Sequence, residues 1–240
     1  MNPQDCIDER TGKVNLAKVR KYAESEGITF DEAQKRVRPF CKSCGERQLS
    51  QERSEEIQKY VSIYCDPDYR MDHGRKKCVQ HILDTLVSHG FLLDVGTGRG
   101  ETVQMAVQMG FERAVGTEVV PYLCSHLYFD WSESGNIVFC DIAGLRSFPD
   151  QSFDHVMCFD VLEHLTDPDV TLALSQFERL ARASITISAA TGPSRFKGRT
   201  DLHISHRPAQ GWTDLFHAHI GERMHLKGMC GASPYWQWVI

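Results

Sequence analysis

The 240-residue chain has no run of about 18 or more apolar residues, so no membrane-spanning helix is expected. Its first 21 residues are polar and charged, and they lack the apolar centre of a secretion signal. Neither sign of charge is in large excess: 27 Lys and Arg face 32 Asp and Glu, a formal net of −5. That mild acidity speaks against a chain built mainly to hold a nucleic-acid backbone. No internal repeat or low-complexity tract is visible, so solenoids and propellers are not expected. A composition of 41% hydrophobic and 25% charged residues is near the globular average and excludes collagen, coiled coil and wholesale disorder. Cysteine, by contrast, is plentiful. There are nine, an odd number, and without a secretion signal they read as free thiols in a reducing compartment, with metal binding as a further role for some of them. The expected location is cytoplasmic.

The chain is long enough to bury a core without disulfides. Its charge is unevenly spread. Residues 1–80 hold 16 Lys and Arg against 14 Asp and Glu, whereas residues 81–240 hold 11 against 18. The pattern changes along with the charge. The first third reads as helices and loops: a helix capped by Asn15 and stopped by Gly27, a short one over Asp31–Arg38 ended by Pro39, and a polar helical stretch from about Ser50 to Ser62. Val79–His89 is expected to be an amphipathic helix stopped by Gly90. From Phe91 onward, strands and helices alternate. Strands are expected at Phe91–Val95, Ala114–Glu118, Asn136–Cys140, Phe153–Phe159 and Ala183–Ala189, with two more after Glu222. Helices are expected at Glu101–Met109, Pro121–Trp131, Asp169–Arg182 and Gln210–His219. Buried-looking strands alternating with helices predict an α/β fold with a mainly parallel sheet covered on both faces. The chain is divided into a helical extension, 1–78, and an α/β domain, 79–240.

The strongest local signal is Leu92-Leu93-Asp94-Val95-Gly96-Thr97-Gly98-Arg99-Gly100-Glu101. A strand enters three alternating glycines and then a helix, so the backbone can turn tightly and approach a ligand closely. Asp94 stands at the strand's C-terminal end, where α/β folds bind ligands. Glu118 closes the second strand, where an acid can hydrogen-bond ribose hydroxyls. Asp141 closes the third. The spacing is Gly-x-Gly-x-Gly, not that of dinucleotide binders, and the acid within it would repel a pyrophosphate but suit a cationic ligand.

On these residues the chain resembles the class I S-adenosylmethionine-dependent methyltransferases over roughly residues 70–240. The resemblance implies a three-layer Rossmann-like fold: a mainly parallel seven-stranded sheet with an antiparallel edge strand, preceded here by the helical extension. It implies a cofactor site of Asp94, Gly96, Thr97, Gly98, Gly100, Glu118, Asp141 and Ile142, joined by Asp160 after the fourth strand. Tyr69 or His73, ahead of the first strand, would close over the cofactor. Asp160-Val161-Leu162-Glu163-His164-Leu165 is similar to the loop after the family's fourth strand, and His203 to His206 resemble its later His-containing loop.

Methyl transfer is an in-line displacement in which the cofactor carries the reactivity and the protein supplies alignment. A base is needed only where the nucleophile must lose a proton, and Glu163, His164 and His203 are the candidates. Asp160, Glu163 and His164 also resemble the divalent-ion motif of ubiquinone-pathway and small-RNA 3′-end enzymes, with His203 as a further ligand. In the extension, Cys41-Lys42-Ser43-Cys44-Gly45 has the form of a zinc knuckle, with Cys65, His73 and Cys78 as the nearest choices for completing ligands, Cys65 and Cys78 being the expected pair; a redox pair or incidental thiols are the alternatives. The turn at Ala23–Thr29 has helix-turn-helix form, but the next helix would face phosphates with Asp31 and Glu32, so a plain helical hairpin fits better. A small-molecule acceptor is favoured by the acidic α/β part. The alternatives are a nucleic acid docked on the first third, a non-catalytic binding module, and, more weakly, a nicotinamide dehydrogenase. Nothing in the sequence indicates the oligomeric state.

Overall fold

Short apolar runs form the central strands of one sheet, as strands covered on both sides require, and a largely exposed strand, His225–Cys230, closes its edge. The strands are β1 (Phe91–Val95), β2 (Arg113–Glu118), β3 (Asn136–Phe139), β4 (Phe153–Phe159), β5 (Ala181–Ser188), β6 (His225–Cys230) and β7 (Ser233–Val239). The computed structural model describes residues 2–6, 16–29, 32–33, 60, 73–120, 134–194 and 202–239. The sheet order is β3-β2-β1-β4-β5-β7-β6. Strands β1 to β5 pair in parallel, and β7 runs antiparallel between β5 and the outermost strand β6.

Side chains alternate across a strand, and two separate apolar clusters result. Leu93 and Val95 of β1, with Val156 and Cys158 of β4, point into one of them. That cluster is completed by α4 (Asp167–Leu180) and α5 (Ala209–Ile220) through Phe177, Trp212 and Phe216, and by Trp236 of β7. Leu92 and Met157 point into the other, where α2 (His73–Thr85) and α3 (Glu101–Gln108) contribute Val79, Ile82, Leu83, Val103 and Ala106. These two clusters are the two helical layers around the sheet.

Some element boundaries differ from expectation for visible reasons. Helix α4 begins at Asp167 because Thr166 caps it, accepting from the Asp169 amide, with a proline in the first turn. It passes into β5 at Ala181 without a loop. Helix α2 starts at His73 and ends at Thr85, ahead of Gly90. There, the Asp154 carboxylate accepts from the Phe91 amide at 2.7 Å, and a Cβ on Gly90 would lie 2.0 Å from it.

The chain divides into two compact units, Met1–Ser54 and Glu55–Ile240. The boundary expected at 78/79 falls inside α2, whose Val79, Ile82 and Leu83 are buried in the sheet unit. In the first unit, α1 (Leu16–Glu26) ends at Gly27 with φ +63, and the Ile28 amide closes it on the Ala23 carbonyl at 3.1 Å. The Thr29 hydroxyl then accepts from the Glu32 amide at 3.2 Å, opening the next turn. The rest of the expected Asp31–Arg38 helix, the whole of the expected Pro121–Trp131 helix, and all of Ser50–Ser62 except Tyr60 lie outside the described residues. Among the described residues, no helix is long and apolar enough to cross a membrane.

Gly116 of β2 lies beside Asp94 in the sheet, and a Cβ there would sit 2.4 Å from Thr97 Cγ2 and 2.7 Å from Thr97 Cβ. Gly116→Ala should therefore cost about 1–3 kcal/mol in urea unfolding, and adding Thr97→Ala should recover much of that loss.

Candidate active site

The glycine loop after β1 is tied to β2 by its own backbone. The Gly96 and Thr97 amides both donate to the Thr117 carbonyl at 2.9 Å, and the Gly98 amide donates to Glu118 Oε2 at 2.9 Å. Gly96, Gly98 and Gly100 all have positive φ (70°, 57° and 77°). At Gly96 the lack of a side chain is also a matter of space, since a Cβ would lie 2.3 Å from Val161 Cγ2 in the loop after β4.

Two buried acids flank this loop. Asp94 Oδ2 accepts from the Thr97 hydroxyl at 2.6 Å. Burial pushes the Asp94 carboxyl up to about 7; hydroxyls of Thr97 and Thr102 oppose the rise, and nearby Glu118 adds to it. Glu118 accepts from the Val119, Val120 and Gly98 amides, and burial still raises it above the usual carboxylate range. After β3, Asp141 Oδ1 accepts from the Gly144 amide at 2.7 Å and caps a 3-10 turn, Ile142–Ser147. The Ile142 side chain lies in the apolar core.

Asp160, at the C-terminal end of β4, has φ +53, a conformation rarely adopted by residues other than glycine. Arg75 of α2 forms an ion pair with Asp160 Oδ2, and the Ser188 hydroxyl donates to its Oδ1 at 3.0 Å. Burial works against the Arg75 charge, but Asp160, joined by Cys230 and Glu163, more than offsets it, so the guanidinium stays above its ordinary value.

Just beyond, Glu163, His164 and His203 each offer a donor atom, and these atoms lie within 4.8 Å of one another. Glu163 Oε1 accepts from the Ala190 amide at 2.9 Å; its Oε2 is buried and has no hydrogen-bond partner among the described residues. His164 Nδ1 contacts the Leu202 carbonyl at 2.5 Å, and His203 Nδ1 contacts the Gly192 carbonyl at 2.5 Å. A carbonyl can only accept, so both Nδ1 atoms carry the proton and both Nε2 lone pairs are left for another ligand. The Tyr60 hydroxyl sits on His164 Nδ1 and reaches the Leu202 carbonyl at 3.4 Å. The loop bearing His203 is pinned from Glu163 itself, whose carbonyl accepts from the Ile204 and Ser205 amides at 2.9 Å. Arg207 and Asp167 hold its far side at 2.8 Å. Burial, with Asp160 nearby, raises the Glu163 carboxyl, while burial lowers His164 to about 4, so that imidazole is neutral.

The structure thus brings Glu163, His164 and His203 together and places Asp94, Thr97, the glycines and Glu118 around one loop. Asp160 is not among the metal donors, because Arg75 and Ser188 already hold its carboxylate. Cys78 joins no group of three donors among the described residues: its thiol donates to the Met229 carbonyl at 3.8 Å. Cys41, Cys44, Cys65 and Tyr69 lie outside the described residues, and His73 opens α2. Sequence reasoning missed Arg75, Tyr60 and Ser188, whose partners lie far along the chain and follow no local spacing.

Residues 93–184 match a family described as a methyltransferase domain. The fold is similar to that of Burkholderia thailandensis 1,6-didemethyltoxoflavin-N1-methyltransferase, solved with 1,6-didemethyltoxoflavin and S-adenosylhomocysteine. The match has 17% identity and a TM-score of 0.58, and covers 81% of this chain and 92% of that one. It is also similar to the PH0226 protein of Pyrococcus horikoshii OT3 at 15% identity and a TM-score of 0.57, covering 75% of this chain and 98% of that one. Against a SAM-dependent methyltransferase of Archaeoglobus fulgidus, the identity is 25% over 49% of this chain and the TM-score 0.40; the chain spans 53% of that protein's length. No curated protein matches the chain.

Below pH about 7 the Asp94 carboxyl is protonated and above it anionic. Affinity for cationic S-adenosylmethionine should therefore strengthen as pH rises from about 6 to about 8, and Asp94→Asn should flatten that dependence in calorimetric titrations.

Proposed function

We propose that this chain, a class I S-adenosylmethionine-dependent methyltransferase by its domain family and fold, methylates a small molecule held at Glu163, His164 and His203. The observation that carries this reading is the buried Glu163 Oε2, unpartnered among the described residues, beside two imidazoles whose Nε2 lone pairs are free. Such an arrangement receives something: an acceptor proton, or a divalent cation that orients the acceptor. Two imidazoles held through their other nitrogen by carbonyls, plus one carboxylate, form a donor set of the kind that binds first-row divalent ions. When bound, such an ion would polarise an acceptor oxygen and ease its deprotonation.

The cofactor site fits its proposed occupant. Glu118 and Asp94 supply acceptors for hydroxyls and for a cationic group, and the glycine backbone leaves room for close approach. Val161, between Asp160 and Leu162, packs on Gly96, so the acceptor cluster begins two residues from the cofactor loop's contact. The chain's own residues then act by position. Leu202 and Gly192 set the imidazole tautomers, Tyr60 holds His164, and Glu163 fixes the His203 loop through its carbonyl. A small acceptor is favoured by the acidic balance of residues 81–240, which hold 18 acids against 11 bases.

The test is a methyl-transfer screen across small molecules, RNA and DNA, before and after thorough chelation. Small-molecule methylation is expected to fall at least about 100-fold on chelation and to return when Mn²⁺, Co²⁺ or Zn²⁺ is added singly. His203→Ala and Glu163→Gln should lose turnover while keeping S-adenosylmethionine affinity. Turnover that survives chelation would replace the ion with a base at the same cluster. Methylation of RNA or DNA alone would overturn the acceptor class.

A further inference from the structure

Cys78, in α2, and Cys230, at the end of β6, belong to the same apolar cluster, although 152 positions separate them in the chain. The Cys78 thiol donates to the carbonyl of Met229, the residue before Cys230, at 3.8 Å. Cys230 is fully buried and Cys78 half-buried. Both are free thiols. Beyond Cys230 the chain turns at Gly231, φ +65, and Ser233 pairs back with Cys230, so its backbone is fixed on the strand side. One helical turn before Cys78 lies Arg75, which holds Asp160; the next residue, Val161, packs on Gly96 of the glycine loop.

We propose that Cys78 and Cys230 are an oxidisable dithiol whose disulfide clamps α2 to β6 and, through Arg75, loosens the cofactor site. The oxidant class is a peroxide. The Cys78 thiolate attacks one peroxide oxygen, the O–O bond breaks, and the leaving hydroxide takes a proton to become water. The Cys230 sulfur then displaces the hydroxyl from Cys78; the S–S bond forms, and the second oxygen leaves as water with the Cys230 proton. Two thiols are oxidised and one peroxide is reduced to two waters. Solvent access makes Cys78 the attacking thiol and Cys230 the resolving one. Burial, with Cys78 nearby, holds the Cys230 thiol well above the ordinary range, consistent with that order. The bond would tie α2 to β6 one helical turn from Arg75, so it would constrain the helix that holds Asp160.

The full-length protein is treated with hydrogen peroxide, alkylated and digested with trypsin without reduction. Cys78 lies in the peptide 78–99 and Cys230 in 228–240, each with no other cysteine. The expected product is these two peptides joined, lost in Cys78→Ser and in Cys230→Ser. S-adenosylmethionine affinity should weaken about fivefold or more on oxidation and return with dithiothreitol, while Cys78→Ser should be indifferent to oxidant. Two results overturn the proposal. One is absence of the joined peptide, or its formation at equal yield in urea-unfolded protein. The other is a joined peptide with unchanged affinity, which would make the bond inert. Because peptide linkage and cofactor affinity are read without any acceptor, neither outcome depends on the acceptor assigned above.

Discussion

The space for one methyl group is missing between Gly96 and Val161, and the site depends on that shortage. A side chain at position 96 would overlap Val161 Cγ2, so the loop after β1 and the loop after β4 are pressed together. One loop is flanked by the buried acids Asp94 and Glu118, and the other begins the Asp160–His164 segment. Neither can move outward without the other, because β1 and β4 are also neighbours in the sheet, with Val95 beside Cys158. The glycine loop and the Asp160–His164 segment are therefore held against each other by packing rather than by a polar bond. Polar bonds then refine each: amides on Glu118 for the loop, and carbonyls on the two imidazoles for the cluster.

Buried carboxylates are concentrated at the C-terminal ends of the parallel strands. Asp94, Glu118 and Glu163 are all buried carboxylates there, and burial raises each of them. A protein seldom spends stability on such groups without a ligand to receive them. The opposite end of the sheet is handled differently. His155 is buried, but its ring contacts Ser184 and the Ser88 carbonyl at 2.8 Å and 3.0 Å, and Phe111 stacks against His89 beside it. That imidazole is satisfied within the core and has no remaining valence to offer.

Much of this was legible in the sequence, for physical reasons. The first five strands could be read because buried strands are short apolar runs, and the glycines after Leu92–Val95 gained meaning from Asp94, Glu118 and Asp141 at the ends of successive strands. Glu163 and His164 could be read because they are adjacent, and His203 because its loop follows the fifth strand. The role of Asp160 was not legible. Its carboxylate is taken by Arg75, 85 positions earlier in the chain, and no spacing rule encodes a contact across that separation. Tyr60 meets His164 across 104 positions and sits in a polar stretch with no distinguishing pattern. The start of α4 shifted for a local reason: the cap at Thr166 decided it, whereas apolar periodicity suggested a later residue.

The sheet order also has a consequence in time. A ribosome makes β6 before β7, yet in the finished sheet β7 lies between β6 and β5. β6 can pair with nothing in its own sheet until the next strand has been synthesised, and Trp236, fully buried in the main cluster, arrives only with it. Until then, the outer edge of β5 is open while β1 to β4 are already available to pair. The edge of this sheet is thus completed as a hairpin in one late event rather than strand by strand.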